Sequence, residues 1–199
     1  MWHAGGAALF AGRTQVRGLI LFSPKIFGIK IKCIFLQKII EMEEPILNAH
    51  NKAEFEPAHT AEHLLNQTMV RMFGCERSKN AHIERRKSKI NWDLAAEPTP
   101  AQIADIERRM NDLIAADLPV SFEFVNRDHI PAGVKLDKLP EDASEMLRMV
   151  RIGDYDICPC IGAHVASTRE IGEFHINSTS WTPTENGGVF RIVFKTLNE

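Results

Sequence analysis

Two residue pairs in this chain have the side chains and the spacing to hold a metal ion. His59 and His63, in His59-Thr60-Ala61-Glu62-His63, stand four positions apart. On a helix that spacing puts both imidazoles on one face, one turn apart, where they can reach the same ion. Cys160 and His164 follow far downstream, in the Pro- and Gly-bearing segment Cys158-Pro159-Cys160-Ile161-Gly162-Ala163-His164. Three imidazoles and a thiolate match the nitrogen and sulfur preference of Zn²⁺ and its tetrahedral ligand count. The first motif also satisfies H-x-x-E-H, the inverted zinc-protease pattern, with Glu62 as general base. That alternative needs a third ligand, normally a carboxylate, and leaves Cys160 and His164 unexplained. The plain reading of Glu62 is a solvated carboxylate on a helix face. Cys158 reads as a small residue at the entry to the loop, and Cys75 has no role. His50, His82, His129 and His175 have no partner in sequence and read as surface or core residues.

The elements that must position these pairs follow from periodicity. Pro57 opens a 3.6-period run to Phe73, and Gly74 stands where a helix would stop. His59, His63 and Gln67 share one stripe of this helix; Leu65, Met69 and Met72 form the expected core face. Residues 81–94 read as one long strand or a hairpin pair. Pro98-Thr99-Pro100 precedes a second helix from Ala101 to about Asp117, apolar at Ile103, Ile106, Met110, Leu113 and Ile114. Strand alternation is expected over 120–125, 147–152, 172–181 and 189–194, with a polar segment over 126–135 and a turn at Asn186-Gly187-Gly188. The sum is an α+β fold, two main helices packed on a mostly antiparallel sheet.

Charge divides the chain unevenly. The net charge of -2 points to no polyanionic partner by itself, but residues 1–41 carry six basic side chains and one acidic, Glu41. We therefore expect a basic leader of unknown role over 1–41 and a self-contained domain over 42–199. The apolar stretch 18–40 is interrupted by four lysines and a proline, so no membrane span is expected. Four cysteines in no regular framework fit metal binding or free thiols in a reducing compartment, so the expected location is the cytoplasm. Arg77, Lys79, Arg85, Arg86, Lys87 and Lys89 form a basic cluster within the acidic remainder, with Trp92 nearby to stack on a base. Such a run is commonly a solvated face; if the substrate is a polynucleotide, it is the place to look for phosphate contacts.

At this point a family resemblance becomes specific. His59-Thr60-Ala61-Glu62-His63-Leu64-Leu65 resembles the H-[ST]-x-x-H-x-L helix of the editing domains shared by alanyl- and threonyl-tRNA synthetases. The block Val150 to Gly172, with Cys160 to His164 and Glu170-Ile171-Gly172, is similar to their C-x-G-T-H-x-x-x-T-G-E-I-G block. The intervening helix with Ile106, Glu107 and Asn111 and the closing strand from Gly188 to Ile192 agree, so the resemblance runs from about Pro57 to the C-terminus. By length the expected match is a free-standing alanyl-tRNA editing protein of the short type. Three positions depart from the family pattern: Ala163 for threonine, Ile161 for glycine and Arg169 for the glycine before Glu170.

The resemblance implies trans hydrolysis of a mischarged aminoacyl-tRNA, chiefly seryl-tRNA(Ala) or else glycyl-tRNA(Ala). It implies a Zn²⁺ cofactor held by His59, His63, Cys160 and His164, with tRNA as partner. Glu62 is not a catalytic position of that family, and no catalytic residue is assigned. The competing expectations are a zinc-stabilised tRNA-binding module without catalysis and the H-x-x-E-H protease.

Overall fold

The computed structural model describes residues 55–130, 134 and 146–197. The expected leader over 1–41, the acidic segment that follows it and part of the polar segment beyond Asn126 lie outside the described residues.

Helix α1 spans Glu56–Phe73. Pro57 occupies the first turn, where its missing N–H costs nothing. Gly74 closes the helix in the left-handed conformation (φ 64°), its N–H bonded to the Val70 carbonyl. The sequence stripes lead one to expect a polar face toward water, yet nearly every residue from Pro57 to Met69 is buried. The helix is packed by the second helix, by both sheets and by a 3-10 turn at Thr168–Ile171. Its polar residues must therefore find partners inside the protein.

Helix α2 spans Pro100–Ala115, and Thr99 and Gln102 form a reciprocal capping box at its start. It buries Ile106, Met110 and Ile114. It ends two residues before the expected Asp117, which adopts φ 52° and turns the chain away.

The strands are β1 (Asn80–His82), β2 (Ser88–Leu94), β3 (Val120–Asn126), β4 (Met146–Ile152), β5 (Asp156–Pro159), β6 (Glu173–Thr184) and β7 (Gly187–Leu197). Of the two readings of residues 81–94, the hairpin is the one formed. All pairings are antiparallel, but the strands make two sheets rather than one, ordered β1-β2-β7-β6 and β3-β4-β5. The α+β class stands; alternation reveals which residues point inward but not which strands become neighbours. In β2, Ile90, Trp92 and Leu94 point inward, and Trp92 and Ile90 lie opposite Phe190 and Ile192 of β7. These residues join Leu64, Leu65, Met69, Ile106, Met110, Phe174 and Phe194 in one core. Trp92 is 2% exposed and cannot stack on a base, contrary to the sequence expectation.

The β6–β7 hairpin depends on Gly187. Its φ is 130°, and a Cβ built there would lie 2.1 Å from the Leu94 carbonyl oxygen. Gly187→Ala is expected to destabilise the domain by about 1–3 kcal/mol, from backbone strain in a region that excludes side chains. A denaturant midpoint unchanged from the parent would refute this.

Among the described residues no helix is long and apolar enough to cross a membrane.

Candidate metal centre

The fold brings α1 against the loop that leaves β5, and with it the two residue pairs. The donor atoms of His59, His63, Cys160 and His164 all lie within 4.8 Å of one another. Cys160 Sγ is 3.5 Å from His59 Nε2 and 3.5 Å from His164 Nε2. Zinc–nitrogen and zinc–sulfur bonds of about 2.0–2.3 Å at tetrahedral angles give ligand–ligand edges of roughly 3.5 Å. The donor set therefore fits a tetrahedral ion in both chemistry and spacing. The protease alternative leaves Cys160 and His164 unexplained, and they lie beside the histidine pair.

The imidazoles are oriented by partners on their other nitrogens. His59 Nδ1 is 3.0 Å from the Ala163 carbonyl oxygen, which can only accept, so Nδ1 carries the proton and Nε2 presents a lone pair. Thr60 does the same for His164. Its hydroxyl donates its single proton to the Glu56 carbonyl at 2.9 Å, so toward His164 Nδ1, 3.1 Å away, it must accept. The same oxygen also accepts from the Val165 N–H. One buried threonine on α1 thereby fixes both the tautomer of His164 and the path of the loop behind it. Arg148 clamps the loop from β4, donating to the carbonyls of Cys160 at 3.2 Å and Gly162 at 2.7 Å.

His63 is held by a charged relay that sequence reading missed. Its Nδ1 lies 3.2 Å from Cys158 Sγ and 3.5 Å from Asp156 Oδ2, leaving Nε2 as the nitrogen available to the cluster. Asp156 has a side chain only 1% exposed and is gripped by both terminal nitrogens of Arg77, at 2.5 and 3.2 Å. A carboxylate behind a metal-binding histidine is a recurring outer partner that fixes ring orientation. His63, Asp156 and Cys158 also form a three-donor group. The Arg77 guanidinium bonded to Asp156, with Nη2 3.6 Å from Cys158 Sγ, already supplies the positive charge there and disfavours a second cation. Cys158 is thus no mere filler at the loop entry. Only its position two residues before Cys160 could have flagged it.

Protonation states follow from these contacts. Burial alone would raise the Cys160 thiol, but its close contacts with His164, His59 and His63 outweigh it and bring it down to about 2, so it is a thiolate. Burial pushes His164 down to about 4 against the pull of Cys160, so it is a neutral imidazole, as a ligand must be. Burial also opposes charge on His63, but the Cys158 charge and the Asp156 hydrogen bond raise it well above the ordinary histidine value, so a metal ion at Nε2 would have to displace a proton. For Asp156, burial is outweighed by the His63 hydrogen bond and the Arg77 charge, which hold it below the usual carboxylate range.

Glu62 departs from its expected setting. It is 9% exposed rather than solvated, because α1 is covered on that face as well. Asn66 Nδ2 donates to its Oε1 at 2.5 Å. The Asn66 amide is itself locked, its Oδ1 accepting from the Ser78 N–H at 2.8 Å and Trp92 Nε1 at 2.9 Å. A cavity of about 330 Å³ opens beside the cluster, lined by Glu62, His63, Gln67, Val70, Arg77 and Ile157 among others.

Of the six basic residues singled out as phosphate contacts, Arg77 turns inward to Asp156. Lys79, Arg85, Arg86, Lys87 and Lys89 are exposed on and around the β1–β2 hairpin. Lys79 also lines the cavity.

Comparison with known proteins extends the resemblance read from the motifs. Residues 147–193 match the family described as the threonyl and alanyl tRNA synthetase second additional domain. Alanyl-tRNA editing protein AlaX-L of Pyrococcus horikoshii is 33% identical over 120 residues, covering 57% of this chain and 28% of that protein. Alanine--tRNA ligase of Caldicellulosiruptor saccharolyticus is 32% identical over 146 residues, covering 71% of this chain and 16% of the ligase. The Bacillus subtilis alanine--tRNA ligase is 29% identical over 123 residues, 61% of this chain and 14% of the ligase. The chain thus spans less than a third of the length of these relatives. The chain is thus similar in sequence to an alanyl-tRNA editing protein and to alanine--tRNA ligases, over a span that includes the family match at residues 147–193.

Proposed function

We propose that the domain is a zinc-dependent aminoacyl-tRNA deacylase acting in trans on mischarged tRNA(Ala), with seryl-tRNA(Ala) as its first substrate and glycyl-tRNA(Ala) as its second. The observation that carries this is the four-donor cluster with oriented imidazoles at the wall of a cavity, in a chain related to an alanyl-tRNA editing protein. His59, His63, Cys160 and His164 would hold the ion. A zinc ion there would supply Lewis-acid polarisation of the ester carbonyl or of a water molecule if one of the four ligands gave way.

The chain's own residues do the rest. Thr60, Ala163 and Asp156 keep the three imidazoles aimed. Gln67 lies along the cavity beside the apolar Val70 and Ile157, a surface suited to a small polar amino acid. A wall that hydrogen-bonds a serine hydroxyl rejects alanine, since its polar groups would then be left unpaired. The exposed Lys79, Arg85, Arg86, Lys87 and Lys89 would meet the tRNA backbone.

The test is incubation of the purified protein with seryl-, glycyl- and alanyl-tRNA(Ala); release from none of them would sink the reading. A second expectation concerns the basic hairpin. Changing Arg85, Arg86 and Lys87 together to Ala should weaken tRNA binding. The log–log salt dependence should flatten by about 0.7–0.9 for each phosphate that the hairpin no longer neutralises. An unchanged slope would place the tRNA elsewhere.

One observation favours another reading. Four protein ligands leave a tetrahedral ion no open position, as in structural sites. A zinc-stabilised tRNA-binding module would bind tRNA, leave the ester intact and unfold on chelation.

A further inference from the structure

The cavity beside the donor cluster follows one stripe of α1, from His59 and His63 to Gln67 one turn further on. Gln67 is half-buried, and its amide is oriented by Arg77. The guanidinium is held by both oxygens of Asp156 and donates to the His63 carbonyl at 3.5 Å. From that fixed position its Nη1 donates to Gln67 Oε1 at 3.4 Å. A guanidinium has donors only, so the amide oxygen is the atom that faces it and Nε2 is the atom turned away. The bond to Arg77 is the only hydrogen bond of the Gln67 side chain among the described residues. Val70 and Ile157, which line the cavity with it, have side chains that accept nothing.

A ligand that fills the cavity drives water from Nε2, and the amide N–H groups then need an acceptor on the ligand itself. A seryl side chain supplies one in its hydroxyl oxygen, while alanyl and glycyl side chains supply none. With those two the donors stay unpaired, which is how a polar site rejects an analogue that lacks its partner group. The ester and ribose oxygens also accept, but they are common to all three esters and give no discrimination.

We infer that Gln67 is the specificity-determining residue of the cavity, its Nε2 donating to the side-chain hydroxyl of the amino acid, so that the site selects small hydroxylated amino acids over unsubstituted ones. This rests on the deacylase reading above and names the group that sets its choice of ester. No bond is made or broken at Gln67.

The experiment uses the full chain and the seryl, glycyl and 2-aminobutyryl esters of tRNA(Ala), the last replacing the serine hydroxyl by a methyl group of similar size. Each enzymatic kcat/KM is divided by the hydrolysis rate of the same ester without protein, because the esters differ in intrinsic lability. Leaving the amide donors unpaired predicts a preference of about 10- to 100-fold for the seryl over the 2-aminobutyryl ester. Gln67→Met keeps the length of the side chain and removes the donor. It should lower the seryl-to-2-aminobutyryl and seryl-to-glycyl ratios by about that same factor, with metal per chain unchanged by elemental analysis. A merely structural role would slow all three esters alike and leave the ratios where they were. Equal corrected rates on the seryl and 2-aminobutyryl esters with the parent protein, or ratios that survive Gln67→Met, would overturn the inference and leave the deacylase reading standing. Hydrolysis of none of the esters by the parent protein would remove the deacylase reading and this inference with it. The parent comparison needs no variant, so it can overturn the inference even if Gln67→Met folds poorly.

Discussion

Cys160→Ala is expected to strip the protein of its metal and of deacylation together. Sγ is the one anionic donor in the cluster, 3.5 Å from two imidazole nitrogens that are already turned toward it. Removing an outer partner of a metal ligand commonly costs about 10–100-fold in affinity, and removing the thiolate itself should exceed about 100-fold. The readouts are metal per chain by elemental analysis and ester release from seryl-tRNA(Ala), with circular dichroism to show that the variant is folded. His164→Ala should behave alike, because Thr60 and the Cys160 loop orient that ring for the same cluster. Retention of metal and activity in Cys160→Ala would move the centre elsewhere. Loss of metal with activity intact would make zinc dispensable to the chemistry. Loss of secondary structure on metal removal would favour the structural reading of the ion.

The portion of this site that is legible in the sequence is local. A four-residue spacing on a helix with a proline start and a glycine stop fixes His59 and His63 on one face whatever surrounds them. Cys160 and His164 are recognisable because their residue types are those of a zinc site and because the loop motif resembles a known block. The α+β class and most strand limits also follow from local periodicity. What cannot be read there is set by packing between distant segments. Asn66 looks like any polar helix residue until Trp92 and Ser78 arrive to donate to it. Arg77 sits in a basic run and resembles its neighbours, yet it alone meets a buried carboxylate from β5. Glu62 reads as solvated because a single helix seen alone always has an outside; here both faces are covered. The division of the strands into two sheets is hidden for the same reason, since alternation along one strand carries no record of its partner.

The second large effect is expected at the Arg77–Asp156 pair, and it should be asymmetric. Asp156 is 1% exposed at its side chain and Arg77 23%. Arg77→Ala leaves a buried carboxylate facing His63 and Cys158 without its guanidinium, and breaking a buried pair in this way typically costs about 3–5 kcal/mol. Asp156→Asn leaves a guanidinium that is already partly exposed to solvent, so it should cost less. Asp156→Asn removes the carboxylate that orients His63 and Arg77→Ala removes what holds that carboxylate, so both should weaken metal binding by about 10–100-fold in a chelator competition. The decisive measurement is a double-mutant cycle in denaturant unfolding. If the buried carboxylate is the source of the penalty, Arg77→Ala combined with Asp156→Asn will be less destabilising than Arg77→Ala alone, because the neutral amide removes the orphaned charge. Additive losses would mean that Arg77 contributes through packing alone and that Asp156 needs no counter-ion to hold His63 in place.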